Sequence, residues 1–237
     1  MRGLVAGALL FFALFGAGPA HAQLAVDRLW VDFEPGLPGR ADVVIRNESN
    51  DKYYITVTPA EITDPGADTE KRVESTDPEK LGLLVTPNRL VLEPGAMRSI
   101  RIVSLNDDLK TDRVYRVKIT PQVGDIQAPS SATGRGIAIK ILAAYDILVT
   151  ARPKKSKPSI EVSRQPGELV IRNSGNTNTL LYEGQECPDA TASACAAVGA
   201  RRLYPGNEWK IPLTSESAKV RFKQRSLASG DPKEISF

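Results

Sequence analysis

The chain has 237 residues, 25% of them charged and 6% aromatic, a formal net charge of +3 and one histidine, His21. Its basic residues are scattered, apart from a small cluster at Arg152, Lys154, Lys155 and Lys157, so no nucleic-acid footprint is present. Arg2, the apolar run Leu4 to Phe15 and the small-x-small site Ala20-His21-Ala22 predict a secretory signal over residues 1–22, cleaved before Gln23. The apolar run is too short to span a bilayer, so an exported protein that is not a membrane protein is expected. Loss of His21 with the signal removes the residue needed for Ser-His-Asp or Cys-His chemistry and the commonest metal ligand.

Taken in order, the mature chain reads as short alternating apolar runs broken by Pro, Gly, Asn and Asp, the all-β pattern. Strands are predicted at Leu24 to Phe33, Ala41 to Arg46 and Tyr53 to Thr58, with a long polar loop over residues 63–81. Leu83 to Thr86, Arg89 to Leu92, Ser99 to Leu105 and Val114 to Thr120 follow, then a Gly/Ser/Ala loop over residues 122–135. Ile137 to Thr150 is the longest strand candidate. Pro153 to Pro158 reads as a stiff polar hinge. Beyond it the pattern restarts at Ser159 to Val162, Glu168 to Arg172, Thr179 to Glu183, Arg201 to Tyr204, Glu208 to Pro212, Val220 to Gln224 and Glu234 to Phe237. The expected organisation is two tandem immunoglobulin-like β-sandwich domains, residues 23–152 and 159–237, joined by the hinge 153–158.

Cys187 and Cys195 are the only cysteines. In an exported chain their spacing predicts one disulfide closing a small loop, worth about 2–3 kcal/mol by loop entropy. A redox role would need closer, CxxC-like spacing. The acidic residues Asp64, Asp68, Glu70, Asp107 and Asp108 lie in turn-like stretches and read as solvated rather than as a general acid/base pair. Neither a phosphate-binding Gly loop nor a nucleophile motif is found, so no enzyme, cofactor or metal site is expected.

The strand from Gly136 carries Ile137, Ile139 and Ile141 on one face. Isolated alternation of this kind usually means a core strand. Its length and the preceding loop instead suggest that its first half runs beyond the core at a sheet edge, where an apolar strand serves β-augmentation.

Val85-Thr86-Pro87, Arg89-Leu90-Val91-Leu92-Glu93-Pro94-Gly95, Ser99-Ile100-Arg101-Ile102, Asp112-Arg113-Val114-Tyr115-Arg116-Val117 and Ala151-Arg152-Pro153 together resemble the periplasmic chaperones of chaperone–usher pili. Asn173-Ser174-Gly175-Asn176, the cysteine pair and Leu203-Tyr204-Pro205 make the likeness closest to the alternate class serving colonisation-factor pili. The resemblance implies a boomerang of the two domains, a periplasmic location, and major and minor pilin subunits and an outer-membrane usher as partners. It further implies that Ile137, Ile139, Ile141 and Ala143 form the strand lent to the pilin, and that Arg152 and Asp112 form an interdomain salt bridge. Many members anchor the pilin's terminal carboxylate with an Arg on strand one and a Lys on the donor strand. Here those positions fall on Trp30 or Val31 and on Leu148, which leaves Arg116, Arg101 and Lys140 as candidate anchors, with Arg28 as a further one. The competing reading of the whole chain is an adhesive or structural β-sandwich of the cell surface.

Overall fold

A computed structural model describes residues 23–124, 140–188, 195–227 and 230–237. The first sandwich is built from β1 (Leu24–Val26), β2 (Trp30–Phe33), β3 (Arg40–Asn47), β4 (Tyr53–Thr63), β5 (Lys71–Glu74), the short helix α1 (Pro78–Leu81), β6 (Leu83–Thr86), β7 (Arg89–Leu92), β8 (Met97–Ser104), β9 (Arg113–Gln122) and β10 (Tyr145–Ala151). The second comprises β11 (Ile160–Gln165), β12 (Glu168–Asn173), β13 (Thr179–Cys187), β14 (Ala196–Val198), β15 (Arg201–Leu203), β16 (Glu208–Pro212), β17 (Lys219–Arg225) and β18 (Lys233–Ser236).

In the first sandwich a sheet ordered β1-β3-β8-β6 faces one ordered β2-β10-β9-β4-β5, with β7 also on β4. Alternate residues of each strand point inward, as the period-two pattern demands. Val43, Ile45, Ile100 and Ile102 from one sheet meet Tyr53, Ile55, Tyr115, Val117, Ile119, Ile147 and Val149 from the other, all essentially buried. The second sandwich pairs β11-β12-β16 with β14-β13-β17-β18 and packs a separate core around Leu169, Ile171, Leu181, Leu203, Val220 and Phe222. Cys187 and Cys195 form the expected disulfide beside β14.

Two departures from the sequence reading matter for the site. Leu24 to Phe33 is not one strand: the Asp27 N–H donates to the Val44 carbonyl and its carboxylate accepts from the Val44 N–H, which ends the β1–β3 ladder. The chain then crosses to the facing sheet as β2. The predicted loop 63–81 also contains β5 and α1, whose N-cap Asp77 accepts from the N–H groups of Glu79 and Lys80 and whose Pro78 suits the first turn.

Both sandwiches use the same asparagine corner. The Asn47 side chain donates to the carbonyls of Asp51 and Leu92 and accepts from the Ser49 N–H. Its backbone exchanges hydrogen bonds with the turn Glu93-Pro94-Gly95-Ala96. Asn173 repeats this in the second domain, donating to Thr177 and Leu203 carbonyls, accepting from the Gly175 N–H, and pairing its backbone with Tyr204-Pro205-Gly206-Asn207. Gly95 and Gly206 sit at φ 71° and 85°, the left-handed conformation a Pro-Gly turn needs at its third residue.

The Asn173 corner also holds the connecting segment. Asn176 accepts from the Lys157 N–H at 2.7 Å and donates to the Lys155 carbonyl at 3.1 Å. A Cβ on Gly175 would lie 2.4 Å from the Lys157 carbonyl oxygen, so only glycine lets the corner close on that segment. Residues 153–158 are therefore laced to the second sandwich rather than free.

Both asparagines are fully buried, so truncation leaves their partners unsatisfied, with the Leu92 carbonyl in the first domain and the Thr177 and Leu203 carbonyls in the second stranded in the interior. Asn47→Ala and Asn173→Ala are each expected to cost on the order of 2–3 kcal/mol in urea unfolding. A loss below about 0.5 kcal/mol, the level of an ordinary surface change, would show the corner to be dispensable.

Candidate functional site

The site begins where β10 loses its neighbours. On one side β10 pairs antiparallel with β9, from Tyr145 opposite Ile119 to Ala151 opposite Arg113. On the other it pairs in parallel with β2, but only over Leu148 to Ala151. Among the described residues nothing pairs with the outer edge of Tyr145 to Ile147, and residues 140–144 continue from it with no regular structure. Over the described residues the predicted strand starts at Tyr145 rather than earlier. Continuing the register would set Ala143 opposite Pro121, which has no N–H to donate.

Parity explains what the exposed segment carries. Ile147, Val149 and Ala151 point into the core and are buried. The same parity continues through Tyr145, whose hydroxyl donates to the Leu24 carbonyl at 2.5 Å, to Ala143 and Ile141. These last two lie past the end of the sandwich, with Ala143 exposed and Ile141 81% exposed. Ile137 and Ile139 lie outside the described residues.

At its other end β10 enters the junction between the sandwiches. Arg152 is wholly buried and grips Asp32 with two hydrogen bonds, Nε to Oδ1 at 2.6 Å and Nη2 to Oδ2 at 2.7 Å. Its Nη1 donates to Thr177 Oγ1 of the second sandwich at 2.5 Å. Burial works against the Arg152 charge, but Asp32 outweighs it and holds the guanidinium above its ordinary value. The expected Asp112–Arg152 salt bridge is corrected: Asp32 is the carboxylate that Arg152 holds. The reason is register, since β2 sets Asp32 opposite Thr150, next to Arg152. Asp112 instead crosses the junction to Asn178, accepting from its backbone N–H at 2.6 Å and its side chain at 2.5 Å. Its Oδ1 is buried without a partner, and burial pushes the carboxyl above its ordinary value against the pull of the Asn178 donors and Arg152.

An apolar contact completes the junction. Ile62 and Val114, on the outer face of the first sandwich, pack with Tyr204 of the second, and Leu148 joins them. Trp30, opposite Leu148, lies under Arg202 of the second sandwich, whose guanidinium sits 5.1 Å from the ring centre.

The candidate cations are not gathered together. Arg101 lies on β8, in the other sheet, holding Asp42 through bonds of 2.8 and 3.1 Å. Lys140 contacts Asp51, and Arg28 pairs with Asp27 at 2.9 Å. Each already has a carboxylate. Among the described residues Arg116 has none: opposite Leu148 on β9, it makes one long hydrogen bond, 3.4 Å, to the Asp146 carbonyl. Asp32 and Arg202 are among the junction residues that sequence reasoning missed, and Trp30 was named only as a position lacking the usual arginine. Outward parity of Asp32 with Trp30 on the first strand was the available signal.

No family model matches the chain. A CS1 fimbrial protein of Escherichia coli is 26% identical over 171 residues, 70% of this chain and 71% of that protein. A CFA/I fimbrial protein of Escherichia coli is 26% identical over 191 residues, 78% and 79% of the two. Among solved structures, the class 5 fimbriae chaperone CfaA superposes with a TM-score of 0.69 at 21% identity, covering 90% of this chain and 97% of that one. The CsuC–CsuE chaperone–tip adhesion pre-assembly complex of Acinetobacter baumannii gives 0.57 at 14% identity, with 91% and 98% covered. The tandem-sandwich fold is that of the pilus chaperones.

Two predictions test the junction. Arg152→Met leaves Asp32 buried and unpaired, so it is expected to cost about 3–5 kcal/mol in chemical denaturation, and an unchanged midpoint would refute the role given to the pair. For Asp112, a raised folded-state value means that the folded protein holds the proton more tightly than the unfolded chain. Its contribution therefore favours folding as pH falls from the raised value to the ordinary carboxylate value, and is unfavourable above. Asp112→Asn keeps an acceptor for Asn178. It is expected to be at least as stable as wild type at pH 7, with the difference shrinking in acid; a pH-independent difference would contradict this assignment.

Proposed function

We propose that the chain is a periplasmic chaperone that binds and stabilises pilus subunits by donor-strand complementation and passes them to an outer-membrane usher. The observation that carries this reading is the unpaired end of β10, where core parity runs on through Ala143 and Ile141 with no core beneath them. A folded domain ordinarily suppresses an apolar strand edge because it invites pairing. A partner lacking one strand can use both halves of it: main-chain bonds along the edge, and apolar side chains filling its own incomplete core. Each isoleucine so buried contributes about 1.5–3 kcal/mol before ordering costs. The fimbrial relatives and chaperone structures above support the same role. Export with cleavage before Gln23 fits it too, since Gln23 caps the first sandwich by accepting from Tyr53 and from the Glu48 N–H.

Ile137, Ile139, Ile141 and Ala143 are proposed as the lent residues. Tagged protein co-expressed in the periplasm with its cognate pilus proteins is expected to yield a one-to-one complex with a small pilin-like protein. Ile139→Asp/Ile141→Asp is expected to abolish it while leaving the unfolding midpoint unchanged. A well-folded double variant that retains the pilin would sink the strand assignment.

A further inference from the structure

The segment that leads into β10 is turned over relative to the strand it joins. Along β10 the odd-numbered residues Ile147 and Val149 face the core, and that parity assigns Ile141 and Ala143 to the core side and Leu142 to the outer face. Residues 140–144 show the reverse. Ile141 and Ala143 stand in solvent, whereas Leu142 is half-buried against the edge of the first core. Lys140, of the same even set, has a side chain just 18% exposed and contacts the Asp51 carboxylate. Asp51 is itself fixed, because its carbonyl accepts from Asn47 at the buried asparagine corner and its N–H donates to Ser49 Oγ. The reversal is possible because β9 offers the segment no ladder. β9 runs on to Gln122, still paired with β4, so an edge exists opposite residues 142–144. The N–H groups of Leu148 and Arg152 go to the Leu29 and Phe33 carbonyls on the β2 side, so Ile147, Tyr145 and then Ala143 turn their main-chain groups toward β9. Ala143 therefore falls on a rung where Pro121 has no N–H to give. Released from that rung, the segment lays its even side on its own sandwich.

We propose that Leu142 and Lys140 are positioning residues that dock the lent segment on the host sandwich, at the core edge and at Asp51, while Ile141 and Ala143 are left in solvent for the guest. The guest's identity rests on the donor-strand reading; the dock itself rests on the contacts of Leu142 and Lys140. The two sets alternate in sequence and have opposite consequences. A guest core takes the odd set, and drawing Ile141 and Ala143 into parity with Ile147 turns Leu142 away from the host core and Lys140 away from Asp51. Lending therefore starts with undocking, and the dock lowers the fraction of chains competent to pair. It also keeps the segment's main chain out of strand geometry, so that it presents no ready edge to a chance partner. An exposed ion pair alone holds little. Leu142 thus carries most of the dock, and Asp51 sets where it lands.

The first measurement needs no guest. Methyl-labelled protein is expected to show nuclear Overhauser contacts from the Leu142 methyls to methyl groups of the first core, weakened in Asp51→Asn. Random-coil Leu142 shifts without such contacts in wild type overturn the dock. The second measurement is the kinetics of binding to the co-purified pilin. Leu142→Ala is expected to associate about fivefold faster, because losing the dock enlarges the competent fraction, with dissociation unchanged. Asp51→Asn is expected to act in the same direction by a smaller factor. Ile141→Ala is expected to act oppositely, by speeding dissociation. Damage to the sandwich slows association, so the expected gain has no such explanation. A Leu142→Ala variant that binds more weakly, as Ile141→Ala does, or no differently from wild type, overturns the assignment while leaving the donor-strand reading intact. Should wild type capture no pilin, the donor-strand reading fails and the methyl contacts still decide the dock.

Discussion

The position of everything in the first sandwich's working half follows from one buried ion pair, Arg152 with Asp32. Desolvating both charges offsets much of their attraction, so the pair's value lies less in net stability than in what it forbids. Arg152 sits immediately after β10 and Asp32 within β2, so the pair locks those two strands in one parallel register. A slip by one residue would separate the charges in the interior and turn Ile147, Val149 and Ala151 away from the core. The strand is pinned at one end, which is why its other end can be left open without losing alignment. Thr177 extends the same clamp into the second sandwich, tying strand register to domain docking.

The second constraint is the asparagine corner, used twice. In the first domain it closes the turn between β3 and β4 against a Pro-Gly turn. In the second it does this and also seizes the connecting segment through Asn176. The following residues, Thr177 and Asn178, then meet Arg152 and Asp112. One local motif thus fixes the linker, presents the docking groups and sets Tyr204 against Ile62 and Val114. Cleft geometry is consequently a property of backbone corners rather than of a broad apolar interface.

Much of this architecture was legible in the residues. Period-two alternation and Pro-Gly punctuation marked nearly every strand, because a half-buried strand must alternate and a tight turn needs glycine at positive φ. What alternation does not carry is sheet membership. Arg101 faces outward, yet it lies on β8 in the opposite sheet. Leu24 to Phe33 read as one strand because nothing in its pattern records that Asp27 ends one ladder and starts a crossing. Partner choice was hidden for a related reason: Asp32 precedes Arg152 by 120 residues, and parallel pairing of β2 with β10 joins them through tertiary register alone. Arg202 was missed because a short strand in the second domain gives no sign that its side chain reaches Trp30 of the first. The open segment was legible as composition, but a strand exists only where a neighbour supplies the ladder, and residues 140–144 have none.

The crossing from β1 to β2 has a further consequence. A polypeptide annealing along β10 from its open end advances one ladder rung at a time until it meets Trp30 opposite Leu148, where β2 already occupies the edge. From Lys140 to Ile147 that track is roughly 23 Å at strand spacing. On the donor-strand proposal, the short connection over Asp27 to Leu29 would act as a ruler, setting how far zippering proceeds before it is arrested and how long a guest strand this sheet accommodates.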